Sequence, residues 1–304
     1  MKVKQSTIAS HRKQFGTEEQ CLSYLAKQKW TVDYKCIKCT HSVYVKGKVH
    51  LDRKCQNCGH NESPKSGTLF HSIKISLVKA FEIIYRIAVN KKGLSCISIA
   101  REYGVNQKTA VLLRSKIQLA MASSGDYPLV GEVHIDEFFI GGPEQGKQGR
   151  TTDSKKKKAT IAVEILEDKK SIGRVYALEI ENFSSQELTK IFDKHCTAET
   201  FVVADKWSGY NPLKKAYPNL VQLKSENGKN FPQLHIIIMN LKGWVKGIHH
   251  KISKQRLQHY LNEFTYRFNR RAFMATINTN LITRMINTKA TRWHIKPKVL
   301  KNVA

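Results

Sequence analysis

Two CxxC motifs, CIKC and CQNC, constrain the fold of this chain more than any other feature of the sequence. Fifteen residues separate them, and that segment alternates like a β-hairpin that would bring the two motifs together. The chain has seven cysteines, an odd number, and the close pairing of four of them argues for metal rather than for a disulfide framework. Residues 1–62 are therefore predicted to form an N-terminal helix and a zinc ribbon, in which one structural Zn²⁺ is bound by Cys36, Cys39, Cys55 and Cys58. Four incidental thiols are the alternative.

The charge of the chain indicates a polyanionic partner. Lys and Arg number 52 against 24 Asp and Glu, which gives a formal charge of +28 spread along the whole length. Nucleic acid is the leading candidate, because each phosphate that a Lys or Arg neutralises releases counterions. A ribosome-associated or merely soluble basic protein is the alternative. The sequence has no run of about 18 or more apolar residues and no apolar core of a secretion signal, so we expect a soluble, intracellular protein without a membrane partner.

The segments SCISIAREYG and NQKTAVLLRSKIQLAMA are typical of two helices joined by a tight turn. Gly104 would end the first helix and Asn106 would cap the second, so residues 63–125 are predicted to contain a helix-turn-helix. In that motif the second helix enters the major groove of DNA. Four side chains on or near it are predicted to contact bases or phosphates: Gln107, Lys108, Arg114 and Lys116. An ordinary helical bundle is the alternative.

From residue 129 the hydrophobic pattern changes to a period near two, which is typical of β-strands. Three successive strands are followed by an amphipathic helix, a buried strand, a short helix, a further strand and two helices. The order βββαβαβα is that of a ribonuclease H-like domain. We therefore predict an α/β fold with a mixed five-stranded sheet over residues 126–285, followed by a basic tail over residues 286–304.

Two carboxylates stand out in this domain. Asp136 lies in the middle of the first strand, within GEVHIDEFFIGG, and Asp205 ends the fourth, within TFVVAD. The first and fourth strands of a ribonuclease H-like sheet are neighbours, so these side chains would converge on hard cations such as Mg²⁺. Two such ions, about 3.5 to 4 Å apart, support in-line phosphoryl transfer. A salt bridge is the alternative for Asp136, and Glu137 is left out because it should point to the opposite face of the strand.

The sequence resembles the bacterial insertion-sequence transposases that are related to the eukaryotic Merlin superfamily. The resemblance covers nearly the whole chain and rests on an ordered set of motifs: the zinc ribbon at 36–58, SGTLFHSIKISL, GLSCISIAREYGVNQKTA, GEVHIDEFFIGG, VVADKWSGY and LNEFTYRFNRR. It implies a metal-dependent enzyme that cuts and joins the ends of its own mobile element. It further implies element ends and target as double-stranded DNA partners, a homo-oligomer assembled on DNA, and a prokaryotic cytoplasmic location at the nucleoid.

Members of this group carry an Asp, Asp, Glu triad followed by a Lys, and some branches have Asn or His in place of the Glu. The resemblance carries over to Asp136 and Asp205 directly. The third residue usually precedes the Lys by seven positions, which selects His235 before Lys242; the two would share one helix face, about 10 Å apart along the axis. Asn240 is the rival. Because imidazole is neutral and softer than carboxylate, the two catalytic ions are predicted to be Mg²⁺ or Mn²⁺.

Two other classes of function stay open. One is a DNA-binding regulator whose catalytic domain is inactive, although the retained Asp136 and Asp205 argue against it. The other is a nuclease of the same fold that cuts without joining. The basic stretch GKQGRTTDSKKKK, residues 146–158, is interpreted as a mobile loop that clamps DNA or as a solvated charge run.

Overall fold

The computed structural model describes residues 7–142, 156–249 and 252–289. Most of the predicted basic loop and residues 290–304 of the predicted tail lie outside the described residues. The described chain forms two compact units. One contains the residues up to Asn90, Leu94–Ala120 and the residues from Phe273 onward; the other contains Lys91–Gly93 and Met121–Ala272.

The first unit combines a small sheet with a set of helices. Its strands pair antiparallel in chain order, and its first elements are α1 (Ile8–Phe15), α2 (Glu18–Lys29), β1 (Tyr44–Lys46), β2 (Arg53–Cys55), β3 (Asn61–Glu62), α3 (Leu77–Val89), α4 (Cys96–Tyr103) and α5 (Gln107–Ala120). Helix α2 begins directly after Thr17, because Thr17 and Gln20 form a reciprocal capping box. Helix α3 is central to the core of this unit: Phe81 is fully buried and packs against Phe15, with ring centroids 5.0 Å apart.

The turn between α4 and α5 follows the sequence prediction. Gly104 ends α4 in the left-handed conformation, with φ of 60°, which glycine adopts without a steric penalty. Asn106 then accepts a hydrogen bond through its side-chain oxygen from the backbone N–H of Lys108, at 2.8 Å, and so caps the start of α5. The result is two short helices joined by a three-residue turn.

The second unit is built on a mixed five-stranded sheet. Its elements are β4 (Glu132–Ile140), β5 (Lys157–Ile165), β6 (Ile172–Ile180), α6 (Ser185–His195), β7 (Phe201–Asp205), β8 (Leu220–Leu223), α7 (Pro232–Ile248) and α8 (Lys254–Asn269). The strand order is β6-β5-β4-β7-β8; β4, β5 and β6 pair antiparallel, whereas β7 pairs parallel with both β4 and β8. The prediction that the first and fourth strands are neighbours is confirmed.

One element of the predicted order needs correction. The segment between β7 and β8, counted as a helix in the βββαβαβα order, is a 3-10 helix over Ser208–Lys215. Pro212 lies inside it and has no backbone N–H to donate to an α-helical hydrogen bond.

Alternation along the strands divides the apolar side chains between two faces of the sheet. On one face, residues such as Ile161 and Val163 pack against α7 and α8. On the other face, Ile135 and Ala204 pack against α6 and against Tyr210 of the 3-10 helix. Helices therefore cover both faces of the sheet.

The last described helix, α9 (Ile277–Asn287), belongs to the first unit. The side chain of Arg284 donates to the backbone oxygen of Ala120 at 2.6 Å. The backbone N–H of Leu69 donates to the backbone oxygen of Met285 at 3.0 Å. This corrects the predicted domain boundary at residue 285. The apolar stripe of α9 predicts that one face is buried, but it does not specify which neighbours bury it.

None of the helices in the described part of the chain is long and apolar enough to cross a membrane.

Candidate active site and zinc site

The four cysteines of the two CxxC motifs converge, as predicted. Their Sγ atoms all lie within 4.8 Å of one another, with Cys36 3.7 Å from Cys58 and Cys39 3.6 Å from Cys55. Each motif closes in the same way: the backbone N–H of Thr40 donates to the oxygen of Cys36, and that of Gly59 donates to the oxygen of Cys55. Thr40 and Gly59 both have positive φ, 63° and 67°. Four sulfurs in this arrangement could bind one tetrahedral zinc ion.

The electrostatics of this cluster favour thiolate character at one cysteine. Desolvation raises the pKa of the Cys36 thiol, but backbone N–H groups of Lys38 and Cys39 and the neighbouring thiols outweigh it and lower the pKa to about 6. At Cys58 the backbone hydrogen bond from His60 lowers the pKa, whereas desolvation and the neighbouring thiols raise it, with a net result of about 12. A bound cation would stabilise all four groups as thiolates, which is the form that ligates zinc.

A second group of possible ligands lies at the end of the β4–β7 ladder. The last residues that pair in this parallel ladder are Ile135 and Ala204, and the next residues are Asp136 and Asp205. Because parallel strands run in the same direction, the two carboxylates lie side by side just past the last paired residues of this ladder, Asp205 at the end of β7 and Asp136 in the middle of β4. The predicted convergence is therefore confirmed. Both residues are half-buried, so each carboxylate is held by the fold and remains open to a ligand.

Hydrogen bonds orient both carboxylates. Asp136 accepts from the backbone N–H of Glu137 at 2.8 Å, and Asp205 accepts from that of Trp207 at 3.0 Å. The side chain of Gln222 donates to the backbone oxygens of Asp205 and Trp207, at 3.1 Å and 2.8 Å. These contacts fix the turn that leaves β7, and with it the direction of the Asp205 side chain.

Glu137 joins this group, although it was left out of the predicted site. Carboxylate oxygens of Asp136, Glu137 and Asp205 lie within 4.8 Å of one another. Glu137 does leave β4 on the opposite face from Asp136, as alternation requires. The β4–β7 pairing ends at Ile135, however, whereas β4 continues to Ile140 paired with β5, and beyond the last β4–β7 pair the carboxylate of Glu137 lies beside those of the two aspartates.

The partner of Glu137 is a fully buried tyrosine. The hydroxyl of Tyr210 donates to Oε2 of Glu137 at 2.6 Å. Burial, followed by the negative charges of Glu137 and Asp136, raises the pKa of Tyr210 well above its ordinary value. The phenol therefore stays protonated and remains a hydrogen-bond donor. Sequence reasoning missed this residue, although its position five residues after Asp205 in VVADKWSGY was a signal that could have been used.

Comparison with known families identifies the domain that holds these carboxylates. Residues 128–269 match the family model of the ISXO2-like transposase domain. This segment is similar to a transposase domain. The match runs from just before β4 to the end of α8, so it includes all five strands and the carboxylate group, and it confirms the resemblance to insertion-sequence transposases. No curated protein matches the chain.

The remaining predicted catalytic residues lie on α7 of the transposase domain. Lys242 is exposed and lies 5.4 Å from the ring centroid of Phe138, which follows Asp136 by two residues on the same face of β4. Desolvation lowers the pKa of Lys242, and the negative charge of Asp136 opposes that shift. Lys242 is thus within electrostatic reach of the carboxylate group, as its predicted role requires.

His235 is half-buried near the start of α7, and its ring packs against Gly228. A Cβ on Gly228 would lie 2.8 Å from the ring, and Gly228 has φ of +88°, so both space and backbone conformation favour glycine there. Burial, followed by the charge of Lys242, lowers the pKa of His235, which keeps the imidazole neutral at pH 7 and suited to ligation. Within the described residues the carboxylate group does not include His235. Its ligand role stays a prediction, as does that of the exposed rival Asn240.

The four predicted DNA contacts in the first unit divide into two kinds. Gln107 and Lys108 are exposed at the start of α5 and are free of the core. Arg114 and Lys116 are buried: Arg114 donates to the backbone oxygen of Leu94, and Lys116 donates to that of His71 at 2.7 Å. Their prediction as DNA contacts is corrected, because both charged groups are used to satisfy backbone carbonyls inside the unit.

Proposed function

We propose that the chain is a metal-dependent DNA transposase. It binds the terminal inverted repeats of its own insertion sequence and catalyses strand cleavage and strand transfer through a ribonuclease H-like catalytic domain. The observation that carries the proposal is the position of Asp136 and Asp205, side by side where the parallel pairing of two central strands ends, within the segment that matches the transposase family model. Two carboxylates could serve a structural ion in many proteins, but here they lie in the domain that defines the family.

The donor set fits the predicted ions. Carboxylate oxygens are the ligands that Mg²⁺ and Mn²⁺ prefer, and the oxygens of this group are close enough to share a cation. Bound there, Mg²⁺ or Mn²⁺ would supply a Lewis acid for phosphoryl transfer. Asp136 and Asp205 hold the site, and the hydrogen bonds from Glu137 and Trp207 keep their carboxylates oriented. His235 is proposed as a further ligand from α7.

The positive side chains have a separate task in this proposal. Lys242, exposed and within the field of Asp136, contacts a DNA phosphate beside the reacting bond. Gln107 and Lys108, exposed at the start of α5, contact the terminal repeats, and the charge of +28 supports binding to the phosphate backbone. Zn²⁺ at the four cysteines holds the ribbon that accompanies these helices.

The experiment is a strand-transfer assay with labelled element ends and a supercoiled target in Mg²⁺ or Mn²⁺. Asp136→Asn and Asp205→Asn are expected to lose cleavage and joining by more than about 100-fold, the upper end of the effect of removing a residue that only supports a metal ligand. Both variants should still bind element ends. Asp126→Asn, an exposed aspartate of the same unit, is the matched control and should keep wild-type activity.

The same assay separates this proposal from the two other classes. Wild-type protein that cuts ends but joins none of them would be a nuclease. Wild-type protein that binds ends but neither cuts nor joins would be a regulator. Full activity of Asp136→Asn would show that the carboxylate group is not needed for catalysis, which would contradict the proposal.

A further inference from the structure

Helix α7 cannot supply a third acidic ligand to the site. The sequence of α7, PQLHIIIMNLKGWVKGI, contains neither Asp nor Glu. On α8 the one acidic residue, Glu263, is fully buried, and Arg267 lies 3.9 Å from it. The two helices that follow the sheet therefore leave the site with two aspartates and a neutral imidazole. A divalent ion would favour more negative charge than that.

Strand β4 offers the missing charge. Glu137 is adjacent to Asp136 in the chain, and its carboxylate lies within 4.8 Å of those of Asp136 and Asp205. Three negative groups at this spacing repel one another, and a divalent cation between them would relieve the repulsion. Glu137 is mostly buried, so its side chain is held in this position and is not a mobile surface group.

Tyr210 determines where the Glu137 carboxylate lies. Its hydroxyl donates to one oxygen, Oε2, at 2.6 Å, and the ring is enclosed in the apolar core on one face of the sheet. Tyr210 is carried by the 3-10 helix that directly follows the Asp205 turn, and Trp207 fastens that turn by donating to the backbone oxygen of Phe183 at 2.9 Å. One short segment thus supplies Asp205 to the site and, through the Tyr210 hydroxyl, orients the carboxylate of Glu137.

We propose that Glu137 is the third carboxylate ligand of the catalytic metal site and that Tyr210 is the positioning residue that orients it. The inference rests on the proposed function, since it assumes a divalent ion at Asp136 and Asp205. It adds a residue from β4 to a site whose usual third acid comes from the last helix. Ligands are held in place by hydrogen bonds from groups behind them, and loss of such a group commonly weakens metal binding.

The test measures Mn²⁺ binding to the full chain without DNA, by electron paramagnetic resonance of the free ion, with zinc already bound at the cysteines. Glu137→Gln keeps an oxygen that accepts from Tyr210 but removes the charge, and it is expected to weaken Mn²⁺ binding by about 100-fold. Tyr210→Phe keeps the ring and its packing but removes the donor, and it is expected to weaken binding by about tenfold.

A matched control exists in the same core. Tyr217 is also mostly buried, and its hydroxyl donates to a carboxylate oxygen of Asp193 at 2.8 Å, outside the metal group. Tyr217→Phe should bind Mn²⁺ as wild type does, so a loss seen only in Tyr210→Phe is specific to the site. The Mn²⁺ concentration for half-maximal cleavage should rise in the same order as the binding constants.

The outcomes distinguish the inference from the proposed function. If Asp136→Asn loses Mn²⁺ while Glu137→Gln binds it as wild type does, Glu137 is only a structural acceptor for Tyr210 and the inference is wrong. If Tyr210→Phe behaves like Tyr217→Phe, the positioning role is wrong. If Asp136→Asn and Asp205→Asn both bind Mn²⁺ normally, the metal site itself, and with it the proposed function, is overturned.

Discussion

The cysteine group and the carboxylate group are two candidate metal sites in one chain, and they are built in opposite ways. The contacting thiols Cys36 and Cys58 are 22 residues apart, and each CxxC motif closes on itself through its own backbone hydrogen bonds. Glu137 and Tyr210 are 73 residues apart, and strands that pair across the sheet bring their elements together. We expect the first site to depend on a bound metal for its fold, whereas the second lies on a sheet that is held by strand pairing and by apolar packing on both faces.

The largest expected effect tests that contrast directly. Structural zinc contributes on the order of 10 to 16 kcal/mol to the folding of small ribbon-like modules. Chelation of zinc, or Cys36→Ser, should therefore unfold residues 31–62, because the buried core beside the small strands consists of Tyr34 and two of the predicted zinc ligands, Cys36 and Cys55. Hydrogen exchange on the full chain should show protection lost there and kept in β4 to β8.

Metal content gives the control for that prediction. The purified chain should carry about one Zn²⁺, the number that a single group of four thiolates can hold. Cys196→Ser changes a buried cysteine outside the group and should keep the zinc. A ribbon that stays protected after complete loss of zinc would contradict the contrast, since it would show that both sites are preformed.

A smaller effect is expected at the third position on α7. His235→Ala should lower cleavage by about 10- to 100-fold if the imidazole is a ligand, and His235→Glu should retain part of the activity in Mg²⁺ because it restores a carboxylate. Asn240→Ala, five residues further along the same helix, is the comparison variant. The cleavage rate on pre-bound element ends is measured for each of these variants.

The reverse result would also be informative. Wild-type cleavage by His235→Ala, together with an inactive Asn240→Ala, would place Asn240 at the third position. It would also show that the seven-residue spacing to Lys242 does not select the ligand in this chain.

The smallest effect concerns the two kinds of basic residue on α5. Lys108→Ala removes one exposed side chain that is proposed to contact a phosphate. The slope of the logarithm of the DNA-binding constant against the logarithm of the salt concentration should fall by about one, with little change in the free energy of unfolding. Arg114→Ala should instead lower the free energy of unfolding by about 1.5 to 3 kcal/mol, because a buried carbonyl loses its charged donor. Salt titration of binding and denaturant unfolding measure the two effects. An unchanged salt slope in Lys108→Ala would place α5 away from the DNA.

Much of the fold followed from local patterns in the sequence. The Gly104 turn, the Asn106 cap, the four-thiol group and the order of the strands each depend on residues that are close in the chain or on a period that repeats. Asp136 and Asp205 could be paired before the structure was known, because a strand order of this kind makes their strands neighbours. The 3-10 helix at Ser208–Lys215 was harder, since one proline decides its geometry.

What only the tertiary structure decided is which partner each buried side chain meets. Periodicity shows that a face of α5 or α9 is covered, but it does not show that Arg114 and Lys116 lie on the covered side or that α9 joins the first unit. Alternation correctly placed Glu137 on the opposite face from Asp136, yet its carboxylate lies within 4.8 Å of those of the two aspartates, beyond the point where β7 stops pairing with β4. The sequence by itself determined the elements and the identity of the two aspartates. Long-range packing decided the rest, because the positions at which strands stop pairing and helices dock depend on contacts between residues far apart in the chain.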